Sequence, residues 1–258
     1  VNKNITVSLT SYGQRIHTVH VAIQAIFNQS KKVQRVLLWL AQDEFTPENI
    51  PVTLKTLQEQ GLQIYFCEDI KSYKKLIPTL KMFPDDIIIT FDDDIYYKQD
   101  VIEKLYNSYL SEPDVIHCIR GHQMKFLPSG TLDSYNNWDM CIQSSQASLD
   151  IFPTGAGGVL YPPNVFHEDI LRSELFMSLA PHGDDIWFKA MSLLQKTKCK
   201  VVAHNDPGYS KNLECIENTQ QNALWLKNKN EDEGNNKQIK EVFGKYFDLH
   251  AIEEIVYE

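Results

Sequence analysis

An α/β fold, with a mostly parallel central sheet flanked by helices and a smaller, less regular region after it, is predicted by three features of this sequence. Apolar runs of strand length alternate with segments of helical periodicity, the connections between them are short, and the early strands end in polar or charged residues. Ile5-Thr6-Val7-Ser8-Leu9-Thr10 alternates apolar and polar and forms a first strand. After the turn Ser11-Tyr12-Gly13, residues Ile16, Val19, Ile23, Ile26 and Phe27 recur at helical spacing and predict one helix over about 15–29. Val36-Leu37-Leu38-Trp39-Leu40 reads as a buried strand, and Pro51 to Gln60 as a short helix stopped by Gly61. Leu62, Ile64 and Phe66 alternate in a third strand that runs out at Glu68-Asp69. A helix over 73–83, limited or kinked by Pro78, leads to a fourth strand over 87–91. Right-handed crossovers then bring Thr10, Asp69 and Asp92 to one edge of the sheet.

The second half is less periodic. A helix over 99–110 precedes a strand over 115–119, and 120–148 reads as a long loop or an excursion over the sheet edge. Phe152-Pro153-Thr154-Gly155-Ala156-Gly157-Gly158-Val159-Leu160-Tyr161 is a glycine turn running into a strand. Asp184 and Asp185 open a helix whose Trp187, Met191 and Leu194 line one face, and a strand over 199–203 ends at His204. The tail from Asn218 reads as helical and polar.

With 258 residues the chain can bury a full core. Its net charge of −9 argues against a nucleic-acid partner, which needs a basic surface. Five scattered cysteines (Cys67, Cys118, Cys141, Cys199, Cys215), none in C-x-x-C spacing, suggest neither a disulfide framework nor a zinc knuckle, and point to a reducing, cytoplasmic setting. No apolar run reaches the ~18 residues that span a bilayer, so the expected membrane association is at most peripheral, at the inner face. Basic residues gather at Lys71, Lys74 and Lys75, close in sequence to the acidic stretch that follows.

That stretch is Asp92-Asp93-Asp94, at the carboxyl end of the fourth strand. Like charges ~4 Å apart repel by ~4 kcal/mol at an effective dielectric near 20, so such a cluster calls for water or a cation. Open α/β sheets bind ligands at the carboxyl ends of their strands, which favours a divalent-metal site over an acidic turn. No P-loop, H-E-x-x-H or G-x-S-x-G motif is present, and Gly155-Ala156-Gly157-Gly158 precedes a strand where a dinucleotide turn would open a helix.

The ordered set Val7 to Tyr12 with Arg15, Glu68-Asp69, Thr90-Phe91-Asp92-Asp93-Asp94, Thr154 to Gly158, His182 to Trp187 and His204 resembles GT-A fold nucleotide-diphospho-sugar glycosyltransferases over roughly residues 5–210. The nearest likeness is to bacterial family 2-like enzymes, with some similarity to exostosin-type transferases. The resemblance implies a single GT-A (Rossmann-like) domain over 1–258, with residues 1–119 binding the nucleotide-sugar and 120–258 the acceptor. It also implies a UDP-sugar donor, a glycan or lipid-linked glycan acceptor, a role in bacterial surface polysaccharide synthesis, and a Mn²⁺ or Mg²⁺ ion. Asp94 would bind the metal directly, Asp92 the ribose or a metal-bound water, Asp93 a donor-sugar hydroxyl, and His204 would complete the metal shell. Thr10, Ser11, Tyr12 and Asp69 are candidates for the base and ribose, and Arg15 with Lys74 or Lys75 for the pyrophosphate. Asp185, beside Asp184, would be the general base of an inverting enzyme, or would position the donor in a retaining one. Gly157 and Gly158 would let the backbone approach the sugars, with Trp138 and Tyr161 as stacking faces and Trp187 more naturally in the core. Rival readings are a haloacid-dehalogenase-like phosphatase using Asp92 and Asp94, a nucleotidyltransferase, and a non-catalytic nucleotide-sugar-binding protein. The first is disfavoured because that family's motif follows the first strand of the core.

Overall fold

A computed structural model describes residues 3–144, 146–202, 212–217, 219 and 234–257. Its central sheet has the order β3-β2-β1-β4-β8-β5-β9, built from β1 Ile5–Thr10, β2 Arg35–Ala41, β3 Leu62–Cys67, β4 Ile87–Thr90, β8 Val159–Tyr161, β5 Ile116–Cys118 and β9 Cys199–Val201. Every neighbouring pair is parallel except those of β8, which runs against both β4 and β5. The sheet is therefore mostly parallel, as the sequence predicts. From β1 the chain winds outwards through β2 and β3, then returns to place β4 on the other side of β1. That reversal opens a crevice between the carboxyl ends of β1 and β4, where ligands bind in open α/β sheets. Asp92-Asp93-Asp94 follows β4 directly.

Strand periodicity decides which face meets which layer. Ile5, Val7 and Leu9 of β1 join Ile87, Ile89 and Phe91 in one core with α1 Val19–Phe27, α2 Val52–Glu59 and α4 Val101–Ser111. Fully burying each such aliphatic side chain stabilises by ~1.5–3 kcal/mol. The alternate residues of β1 are polar, Thr6 and Ser8 buried and Thr10 half-buried, and each has a partner: Thr6 donates to Asp86 Oδ2 (2.7 Å), Ser8 pairs with Thr79 (2.7 Å), and Thr10 donates to the Trp39 carbonyl (2.8 Å). Ile88, Ile116, Val159 and Tyr161 face the second core, closed by α5 Ser173–Leu179, α6 Asp184–Leu194, α7 Asn235–Tyr246 and α8 Ile252–Tyr257.

Several elements depart from the periodicity. The helix expected over 15–29 is a 3₁₀ turn, Gly13–His17, followed by α1, because Thr18 turns its hydroxyl back onto the Arg15 carbonyl. The helix expected over 73–83 divides likewise into a 3₁₀ turn, Lys71–Lys75, and α3 Ile77–Met82, whose first turn holds Pro78. The long loop expected over 120–148 contains β6 Gly121–Gln123, which pairs with β7 Ile151–Pro153 in a separate ribbon. The tail is not polar throughout: α7 buries Ile239, Val242 and Phe243.

Two histidines tie this half together. His117 on β5 is fully buried between the Ser108 hydroxyl (2.9 Å) and the Glu112 carbonyl (3.0 Å), and His122 on β6 accepts the Cys141 N–H (3.0 Å). Burial pushes both imidazoles down to about 4. The folded pKa lies below the ordinary value near 6.5, so this contribution is complete above pH ~6.5 and is lost as pH falls towards 4. Between pH 7.5 and pH 5 each histidine is expected to cost roughly 2 kcal/mol. Asp93, described below, titrates in the opposite sense, so the comparison is between variants. Urea unfolding of His117→Gln should lose about half of the histidine-driven fall; a slope identical to that of the parent chain would refute the assignment.

Candidate active site at the carboxyl edge of the sheet

Because β1 and β4 are neighbours in register, the residues that leave them meet at once. Ser11 donates to Asp93 Oδ2 (2.6 Å), and Arg15, delivered by the 3₁₀ turn, reaches Asp93 Oδ1 (2.8 Å) and Asp94 Oδ2 (3.0 Å). Arg15 also donates to the Thr219 carbonyl (3.0 Å), and its guanidinium lies 5.3 Å from the centre of the Tyr12 ring. Tyr12 is 44% exposed. Asp93 is buried with both oxygens engaged; burial raises its carboxyl to about 6 against the pull of Arg15. The expected contact of Asp93 with a sugar hydroxyl therefore does not match its position: it anchors Ser11 and Arg15. Thr10 likewise spends its hydroxyl on the sheet.

The second cation is Lys75. Its ammonium lies 2.9 Å from Asp92 Oδ1 and 2.9 Å from Asp184 Oδ2, and it is almost wholly buried. The Asp184 contact is one of charge, without the aim of a hydrogen bond. Burial works against the charged ammonium, but Asp184, Asp92 and Asp185 outweigh it and hold Lys75 well above the ordinary lysine range. Tyr73, two residues earlier, fixes this turn by donating to the Ala180 carbonyl (2.7 Å) just before α6. Lys74 and Lys71 (2.9 Å) both clasp Asp69; burial opposes ionisation there, but the hydrogen bonds from Lys74 and Lys71 prevail and bring Asp69 down to about 2. The lysines expected on a pyrophosphate are thus committed to carboxylates.

The glycine turn closes the arrangement. Asp185, half-buried at the start of α6, accepts the Gly155 N–H through Oδ2 (3.0 Å). A Cβ on Gly155 would stand 2.5 Å from Lys75 Nζ, 3.3 Å from Asp185 Oδ1 and 3.4 Å from Asp92 Oδ1, so these groups converge on the glycine backbone and a side chain there would have to displace the Lys75 ammonium. Tyr97 bridges the two halves: its hydroxyl accepts the Asp92 N–H (2.9 Å) and donates to the Ala156 carbonyl (3.2 Å). Burial, and then the charge of Asp184, push Asp185 well above the usual carboxylate range, towards the pH at which a general base works well.

Gly157 and Gly158 approach protein groups, Arg120 and the Phe91 ring respectively, so the close approach that the structure explains is packing. Trp138, Tyr161 and Trp187 are all buried, which removes the first two as stacking faces and places Trp187 in the core as read. His204 lies outside the described residues. Among the described residues no group of three His, Cys, Asp or Glu side chains gathers as a metal cage. Mg²⁺ in phosphate-handling sites is bound through one or two carboxylates plus substrate phosphates and water, and Asp92 and Asp94 suit that mode. Neither Tyr97 nor Tyr73 was marked by sequence reasoning; an aromatic hydroxyl three residues beyond the aspartates is the signal available for Tyr97.

No family model matches the sequence, and no curated protein matches it. Among solved structures, residues 1-349 of S. aureus TarS superpose with a TM-score of 0.51 at 12% identity, over 78% of this chain and 58% of that one. The same protein in complex with UDP gives 0.48 at 12% identity over the same shares. Mycobacterium tuberculosis glucosyl-3-phosphoglycerate synthase, in complex with Mn²⁺, UDP and phosphoglyceric acid, gives 0.36 at 14% identity over 45% of this chain and 43% of that one. This chain thus spans less than two thirds of the length of each of these three. At such identity the likeness concerns the fold, which is GT-A-like, with a mostly parallel seven-stranded sheet flanked by helices. Among the described residues no helix is long and apolar enough to cross a membrane.

Proposed function

We propose that this protein is a metal-dependent glycosyltransferase moving a hexose or N-acetylhexosamine from a UDP-sugar to a hydroxyl of a glycan or lipid-linked glycan, in bacterial surface polysaccharide synthesis. The observation that carries this reading is the convergence of the aspartate cluster and the α6 carboxylate on one glycine turn, through Lys75 and Gly155. A phosphatase of the rival kind would hold its aspartates after the first strand, whereas here they follow β4.

In this reading Tyr12 offers its exposed ring to the base, while Asp92 and Asp94 hold Mn²⁺ or Mg²⁺. The ion, when bound, neutralises charge on the leaving diphosphate. Arg15, itself held by Asp93, fixes Asp94, and Lys75 fixes Asp92. Asp185, held by the Gly155 N–H, takes the proton of the acceptor hydroxyl as its oxygen attacks the anomeric carbon and the nucleoside diphosphate departs with the electron pair. That assignment applies to an inverting enzyme; in a retaining one the same carboxylate positions the donor.

Titration calorimetry with UDP, with and without Mn²⁺, tests the proposal. The expected result is UDP binding that tightens at least tenfold with Mn²⁺ and is abolished in Asp94→Ala. No UDP binding, together with release of phosphate from a generic ester, would replace this reading with the phosphatase.

A further inference from the structure

Among the described residues at the crevice, the basic side chains are matched to carboxylates with one exception. Arg15 is taken by Asp93 and Asp94, Lys71 and Lys74 by Asp69, and Lys75 by Asp92 and Asp184. Arg120 forms no ion pair and no side-chain hydrogen bond among the described residues, and its Nε–H is shielded from solvent with no acceptor. Leaving a buried donor unpaired is costly, and more so on a charged group. The position is held firmly. β5 runs parallel to β4, since both oppose β8, so Arg120, two residues beyond β5, leaves the sheet on the same edge as Asp92. Its carbonyl accepts the Thr154 N–H (3.0 Å), and a Cβ on Gly157 would lie 3.0 Å from both its Cβ and its N. The glycine turn that receives Asp185 therefore rests against the root of the Arg120 side chain. Tyr135 feels the charge of both Arg120 and Asp185, and Cys215 that of Asp94, Arg120 and Arg15.

We propose that Arg120 is the anchor of an anion subsite, taking a phosphate or carboxylate group of one of the two substrates through its guanidinium fork. The planar, permanently charged fork matches such oxyanions bidentately, where a lysine offers only a point charge. This deepens the transferase reading and rests on it for the presence of two substrates. The shared chemistry has two sources, the donor diphosphate or an anionic group on the acceptor.

Calorimetry on the parent chain, Arg120→Lys and Arg120→Gln separates them, with UDP plus Mn²⁺ as one probe and glycerol phosphate added to the UDP-loaded protein as the other. If the anion belongs to the acceptor, Arg120→Gln binds UDP within twofold of the parent and loses saturable glycerol phosphate binding, and Arg120→Lys is weakened at least fivefold. If it belongs to the donor, Arg120→Gln weakens UDP at least tenfold and glycerol phosphate binds to neither protein. Both results support the subsite. Unchanged binding of both probes in folded Arg120→Gln, or parent-like binding of both probes by Arg120→Lys, overturns it. Should the parent chain bind no UDP at all, the transferase reading fails alone, and Arg120-dependent binding of glycerol phosphate still decides the subsite.

Discussion

Asp185→Asn is expected to lower sugar transfer by ~10²–10⁴-fold while UDP affinity stays within about twofold of the parent chain. The substitution is close to isosteric, and the amide oxygen can still accept the Gly155 N–H that holds the native carboxylate at 3.0 Å. What it removes is the ability to take a proton. Asp184 cannot substitute, because it is buried against Lys75, whereas Asp185 is half-buried at the helix start. The measurement pairs single-turnover transfer from a UDP-sugar with UDP calorimetry. Transfer within threefold of the parent would remove Asp185 as the base, and joint loss of transfer and UDP binding would make it a structural support of the donor site. Retained UDP binding with lost turnover also speaks against a non-catalytic binding protein, for which Asp185→Asn should have no chemical consequence.

The sequence carried the succession of strands and helices in the first half because local signals suffice there. Ile5, Val7 and Leu9 alternate with partnered polar residues, and the apolar runs of β2 and β4 are buried on both faces. The aspartate cluster and the α6 acidic start were legible as chemistry-bearing residues at element ends. Which aspartate does what was not, because three identical side chains diverge only once β1 lies beside β4: Asp93 turns inwards to Ser11 and Arg15, while Asp92 faces Lys75. The choice between Lys74 and Lys75 was equally hidden, since adjacent lysines in a 3₁₀ turn point to different partners, Asp69 and the Asp92–Asp184 pair. Strands of three residues such as β6 and β7 are too short to show a period, which is why the ribbon over the second core read as loop. Trp138 and Tyr161 resembled sugar platforms in composition, and only their packing against Phe152 and Phe188 removes them from the surface.

Lys75→Met should destabilise the fold by ~3–5 kcal/mol, the usual cost of removing one partner from a buried ion pair. The ammonium is almost wholly buried and serves two carboxylates at 2.9 Å each, with Asp185 close enough to add to its field. Methionine has a comparable length and fills the space, so lost packing contributes little. The penalty arises from Asp184, which is left charged and buried at the start of α6 with no counter-ion. The amino end of that helix offsets part of its charge, by ~0.3–1 kcal/mol, and cannot replace the lysine. Removing the stranded charge as well should therefore restore stability: Lys75→Met with Asp184→Asn is expected to recover at least half of the loss, a coupling that additive changes would not give. Urea unfolding of the four proteins of this cycle measures it. A loss below ~1 kcal/mol in Lys75→Met would mean that the carboxylates find another cation or take up protons at no cost. An additive double variant would mean that Lys75 acts through Asp92 alone. In either case the physical link between the aspartate cluster and the α6 base, through which the two halves of the proposed site are held in one geometry, would have to be sought in the Tyr97 bridge from the Asp92 N–H to the Ala156 carbonyl.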